Sequence, residues 1–182
     1  MASIKGFQLK NVKNTLGREG YGCLATMYLN GKKIGTYADY GDGAMEDVTY
    51  VSKEAEEAMM RVIIDFAKEY DNEFIVNLYH ERPQQFKEEC ESFKRRYPFI
   101  PDKDITIQTM ASNSIVYIVE ELLQLVDLEK RFKSYQKKGY RAIGIVGQSI
   151  SAYPASWSDE KIRTHAKVEG EQLYLSLEDF NK

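Results

Sequence analysis

Apolar and polar residues alternate from Ile4 to Lys13, with Phe7 and Leu9 set between Lys, Gln and Asn, and Val12 offset by one place. A period of two marks a half-buried strand. Cys23, Ala25, Met27 and Leu29 repeat the pattern over Cys23–Leu29, and a third strand is predicted from Ile34 to Tyr40. Between them Asn30-Gly31 is a strong short-range hairpin signal, because a type I′ turn needs positive φ at both central residues. Asp47 to Val51 adds a fourth strand at the edge. The glycines of TLGREGYG join the first two strands as loop residues.

Beyond Ser52 the period changes. Ser52 is placed as an N-cap, Glu54, Glu56 and Glu57 lie near the positive end of a helix dipole, and Ala55, Met59, Val62, Ile63 and Phe66 recur at helical spacing as far as Tyr70. Asp71-Asn72 ends this helix, and the apolar run Phe74 to Tyr79 reads as a short buried strand. A second helix starts at Pro83 and presents Phe86, Cys90, Phe93 and Tyr97 on one face. Pro98 and Pro101 stop it. Ile105 to Met110 reads as a short strand. The longest helix is predicted from Asn113 to Lys138, apolar in its first half and basic in its second. RAIGIVG (Arg141 to Gly147) reads as a buried strand of an α/β element, GQSISAYPASW as a loop, Ser158 to Val168 as a helix and Leu173 to Leu177 as a final strand.

The expected fold class is therefore α+β: an N-terminal antiparallel β-meander packed with helices, then a C-terminal long helix with short strands. One domain spans 1–182, with subregions 1–98 and 99–182 divided at the Tyr97–Pro101 segment.

Composition narrows the function classes. Of 182 residues, 43% are apolar and 29% charged, as in a folded, well-solvated chain. A net charge of −3 excludes a global basic field for nucleic acid. Two cysteines, Cys23 and Cys90, provide neither a disulfide framework nor a zinc quartet, and both fall on apolar faces. MASIKGFQLKN lacks the apolar run of a signal peptide, and Glu120, Glu121 and Gln124 interrupt the most apolar segment. The expectation is a cytoplasmic protein of a bacterial host cell with no membrane contact and no cofactor.

Catalytic and metal motifs are missing their defining positions. Gly17-Arg18-Glu19-Gly20-Tyr21-Gly22 has the wrong glycine order for a dinucleotide loop. GQSIS, with Ser149 and Ser151, lacks the closing glycine of a nucleophile elbow. His80 and His165 have no ligand partners at zinc spacing. Asp39, Asp42, Glu46 and Asp47 crowd a glycine-rich turn without matching a calcium loop, so an acidic knob for a basic partner competes with a solvated loop and, less simply, with Asp39, Asp42 and Glu46 as metal ligands of a hydrolase. With Tyr37 and Tyr40 these acids form a candidate partner-binding tip: Tyr37, Asp39, Tyr40, Asp42, Glu46 and Asp47. Lys130, Arg131, Lys133, Lys137, Lys138 and Arg141, interleaved with Phe132, Tyr135 and Tyr140, form a candidate phosphate-contacting stretch, with a helix end whose lysines complement the dipole as its bland alternative.

The opening IKGFQLKNVKNTLGREGYGCLATMYLNGKKIGTYADYGDG (Ile4 to Gly43) resembles the N-terminal region of small proteins from phages and mobile elements of Firmicutes. In size and layout the chain is similar to the type II anti-CRISPR proteins, a likeness that extends to the basic helix leading into KKGYRAIGIV. The resemblance implies a non-enzymatic inhibitor that binds a type II RNA-guided CRISPR nuclease with its guide RNA and blocks DNA cleavage. It transfers no residue roles. The alternative is a nucleic-acid-binding accessory protein of a phage or mobile element, with direct DNA contact; a homodimer is compatible with either.

Overall fold

In the computed structural model, which describes residues 1–70 and 72–182, the opening alternation becomes a four-stranded antiparallel sheet. Its strands are β1 (Phe7–Leu16), β2 (Tyr21–Leu29), β3 (Lys32–Ala38) and β4 (Asp47–Tyr50), neighbours in that order. Asn30 and Gly31 take φ of 49° and 78°, the type I′ pattern, between the paired residues Leu29 and Lys32. The offset at Val12 has a physical source. The β1–β2 register shifts between Lys10 and Lys13, and Asn11 sits in the left-handed region at φ 54°, a bulge conformation that Asn tolerates better than most residues.

Phe7, Leu9, Met27 and Tyr37 form part of the buried face of this sheet. Against β3 and β4 packs helix α1 (Lys53–Ala67). Ser52 caps it by accepting a hydrogen bond from the Ala55 N–H at 3.2 Å, and Met59, Ile63 and Ile64 point inward at helical spacing. Each such fully buried side chain contributes about 1.5–3 kcal/mol through removal from water.

Two predicted strands are helices. Phe74 to Tyr79 lies in α2 (Glu73–Glu81), where Tyr79 is buried while Phe74 is 76% exposed. A fully buried strand would hide both; a helix one turn longer than the run hides one face only. Ile105 to Met110 divides into the end of a 3₁₀ turn (Asp102–Asp104) and α4 (Ile107–Ala111), which follows α3 (Pro83–Arg96). Thr106 caps α4 reciprocally with Thr109, a box built from two threonines. The break expected at Asp71-Asn72 falls partly on Asp71, which lies outside the described residues.

The long helix α5 (Ile115–Lys137) runs into β5 (Tyr140–Val146), then β6 (Ser149–Pro154), α6 (Asp159–Glu169), β7 (Gln172–Tyr174) and a 3₁₀ turn at Leu177–Phe180. The second sheet has the order β6-β5-β7 and is antiparallel throughout, which corrects the α/β reading of Arg141 to Gly147. The predicted loop GQSISAYPASW contains β6, paired from Val146↔Ser149 onward. Ala142, Tyr153, Ile162 and Ala166 form a core beneath α6, with Trp157, Leu173 and Leu175 packed on it.

The architecture is α+β: an N-terminal four-stranded antiparallel sheet, helices, and a C-terminal helix with short strands. The chain forms two compact units, Lys5–Glu120 and Met1–Ile4 with Glu121–Lys182. The division lies inside α5, and Tyr97–Pro101 lies within the first unit. In the second unit Ser3 bridges Asn181, and Glu129 accepts a hydrogen bond from the Ala2 N–H at 2.8 Å. Among the described residues no helix is long and apolar enough to cross a membrane.

Candidate functional site

Antiparallel pairing brings Leu16, Tyr21, Ala38 and Asp47 to the same end of the four-stranded sheet, opposite the Asn30-Gly31 turn. Two loops close that end, residues 17–20 between β1 and β2 and residues 39–46 between β3 and β4. They are fastened to each other. The Glu19 N–H donates to the Gly41 carbonyl at 2.8 Å, and the Thr15 hydroxyl donates to the Asp39 carbonyl at 2.7 Å. A Cβ on Gly41 would stand 2.2 Å from the Gly20 carbonyl oxygen, so the approach requires glycine there.

The acids of this tip divide by task. Asp39 accepts from the Gly41 N–H at 2.8 Å and Asp42 from the Ala44 N–H at 3.1 Å, so each carboxylate builds its own turn. Asp42 and Asp47 are exposed and Glu46 is half-buried. Among the described residues, no group of three or more His, Cys, Asp or Glu side chains is placed to hold a metal ion. The hydrolase reading therefore finds no assembled ligand set at Asp39, Asp42 and Glu46.

Tyr37 does not belong to the contact surface. Its register opposite Ala25 and Val48 turns it inward, and it is 3% exposed. Burial first, then the negative charge of Glu46, hold its hydroxyl neutral far above the usual tyrosine range. Tyr40, by contrast, is 54% exposed.

Sequence reasoning missed three residues here. Leu16, Tyr21 and Met45 are 74%, 84% and 94% exposed, and Leu16 and Tyr21 face each other across the β1–β2 pair. The signal was present: large apolar residues bordering Gly-, Arg- and Asp-rich loops, where burial has nothing to offer them. Single exposed apolar residues need no explanation, but four at one sheet end, ringed by Glu19, Asp42 and Asp47, have the composition of a recognition surface.

The basic stretch lies on the second unit. Lys130, Arg131, Lys133 and Lys137 fall within an arc of about 160° on α5, at 3.6 residues per turn, and Lys138 follows its last residue. All five are exposed, as is Arg141 at the start of β5. Arg131 pairs with Asp127 at 2.6 Å, Lys133 with the buried Glu129 at 2.7 Å and Arg141 with Asp159 at 2.9 Å. Phe132 leaves the set, being fully buried against Phe180 at a ring separation of 5.5 Å. Tyr135 and Tyr140 stay, in a T-shaped pair at 5.7 Å.

The remaining chemical candidates are dispersed. Burial raises the thiol pKa of both Cys23 and Cys90, which suppresses reactivity. Ser149 and Ser151 lie on β6, an antiparallel edge strand with no elbow. His80 is exposed on α2, and His165 stands edge-on to Tyr153 and Trp157 on α6. A groove of about 720 Å³ in the first unit, lined in part by Tyr50, Lys53, Tyr97 and Ser114, is spanned by a 3.6 Å ion pair between Arg96 and Glu56.

Comparisons with protein-family models, with curated proteins and with solved structures return no match for this chain.

Proposed function

We propose that this protein is a non-enzymatic binder that inhibits a type II RNA-guided CRISPR nuclease, working in the cytoplasm of a bacterial host on behalf of a phage or mobile element. The observation that carries the binding part is the cluster Leu16, Tyr21, Tyr40 and Met45, exposed at a sheet end whose two loops are hydrogen-bonded to each other and edged with acids. Tyrosines, with two rotatable side-chain bonds, lose little entropy on docking, Met45 can adapt its shape to a partner, and acidic neighbours select a basic partner surface. The choice of target rests on the resemblance of Ile4 to Gly43 to the anti-CRISPR proteins.

The test is co-elution with the guide-loaded nuclease together with a DNA-cleavage assay. The expected result is a stable complex and loss of cleavage, weakened when Asp42 and Asp47 are both changed to Lys. Full cleavage at large molar excess of the protein overturns the proposal. Full inhibition by the charge-reversed variant reduces the acids to loop residues.

A further inference from the structure

We infer that the α5–β5 junction is a separate binding surface for single-stranded nucleic acid, with Tyr140 as its stacking platform and Lys130, Lys137 and Lys138 as its phosphate contacts. Residues 130–141 hold six cations and no acid. Three of the six are neutralised by Asp127, Glu129 and Asp159, whereas Lys130, Lys137 and Lys138 have no ion pair among the described residues. Lys137 closes the 23-residue helix, Lys138 follows it and Lys130 lies about two turns earlier; at this helix end the dipole already favours positive charge and a bound phosphate has to be drawn by the side chains.

Charge alone would fit a helix end kept soluble. The aromatic geometry adds what that explanation does not need. Tyr140 is 37% exposed and stands edge-on to the half-buried Tyr135, which fixes the ring without covering it. Lys138 sits 5.7 Å from the Tyr135 ring centre, so a cation borders the same aromatic pair. A partly exposed ring in an aromatic pair bordered by the unpaired Lys138, with Lys137 and Lys130 on the helix that leads to it, matches the way single strands are held: bases stack, and the backbone runs over cations. A duplex hides its base faces and gains nothing from the ring. The protein's net charge of −3 restricts the contact to this patch, so modest affinity at low salt is expected.

Fluorescence anisotropy of labelled single-stranded RNA, single-stranded DNA and duplex DNA, with the full chain and no nuclease, tests this surface independently of the inhibitor proposal. Both single strands should bind at about 50 mM salt, with a log–log salt slope of roughly −2 from about three phosphate contacts. RNA and DNA curves that separate identify which strand the patch prefers. Tyr140→Ala should weaken binding at least about fivefold with the slope unchanged, and Tyr140→Phe should restore it. The double change K137E and K138E should flatten the slope. Phe74→Ala, at an exposed residue of the other unit, should leave single-strand binding unchanged. No binding at low salt, duplex binding as tight as single-strand binding, or an unchanged affinity in Tyr140→Ala overturns the inference, provided the variant keeps the parent's circular dichroism and melting curve.

Discussion

In the four-stranded sheet β2 sends Cys23, Ala25, Met27 and Leu29 inward at every second place, whereas in the three-stranded sheet β5 buries Ala142, Ile143 and Gly144 in succession. The first pattern belongs to a strand covered on one face, the second to a central strand covered on both. The difference reaches their ends. The larger sheet leaves Leu16, Tyr21, Tyr40 and Met45 in water, while in the smaller unit Phe180 is fully buried, stacked on Tyr174 at 4.6 Å. Phe180 is spent on a core, whereas the four residues of the sheet end are displayed together; the smaller unit's exposed apolar residues, such as Val146 and Val168, lie on separate elements.

Alanine substitutions should separate these two uses most sharply. Phe180→Ala removes a ring packed against both Tyr174 and Phe132 and should cost about 3–5 kcal/mol in chemical denaturation. Met45→Ala, at a residue 94% exposed, should stay within about 0.5 kcal/mol. Equal losses from the two would dissolve the comparison.

Binding should then show the opposite order. Under the proposed function, Tyr21→Ala combined with Met45→Ala is expected to weaken the proposed inhibition of a CRISPR nuclease by about 10-fold or more, as for central anchors of an interface, with an unchanged melting temperature. Tyr37→Ala should do the reverse, losing about 3 kcal/mol of stability through a cavity while the tip keeps its exposed surface. Inhibition that survives the double change would remove the sheet end from the mechanism.

Much of the fold was legible because the first sheet is built from local signals. Alternation, Asn30-Gly31 and the Ser52 cap each state their own conformation. The α2 segment was misread because six consecutive residues, Phe74 to Tyr79, carry no polar position except Asn77, and over so short a run a buried strand and one helix face look alike. β6 was missed because its two large apolar residues, Ile150 and Tyr153, stand three places apart and give no period-two signal, and because its hairpin turn is Gly147-Gln148 and not Asn-Gly. The candidate tip was found through its acids, two of which serve the loop itself. Its exposed apolar residues follow from tertiary position, which no local pattern contains.

The two hairpins offer a gentler comparison. Gly31 and Gly147 have φ of 78° and 56°, and a Cβ on either would meet open space, so Ala at each position isolates the backbone cost. Each change should destabilise by about 1–2 kcal/mol. At Gly147, Asn should recover part of the loss, since it enters the left-handed region more readily than Ala. A neutral Gly147→Ala would mean that β6 pairs through its ladder with no help from the turn.

The smallest effect is expected from Glu129, which is 4% exposed yet ionised. Burial is the strongest influence on it and would raise its pKa. The bonds from Lys133 at 2.7 Å and from the Ala2 N–H at 2.8 Å, with the Met1 ammonium at 3.1 Å, outweigh burial together and bring the carboxyl below the ordinary glutamate value. A folded-state pKa below the unfolded one stabilises the protein above the unfolded value, about 4.3, and that stability is lost as pH falls through the folded value. Glu129→Gln keeps an acceptor for Ala2 and gives up the pairs with a half-exposed lysine and a half-exposed terminal ammonium, so its cost at neutral pH should be about 1 kcal/mol. The melting curves of parent and variant should converge as the solution is acidified below that range, because only the parent has a proton to take up. Curves that stay parallel into acid would mean the carboxylate holds no net advantage over the amide, and that the anchoring of Ala2 is geometric alone.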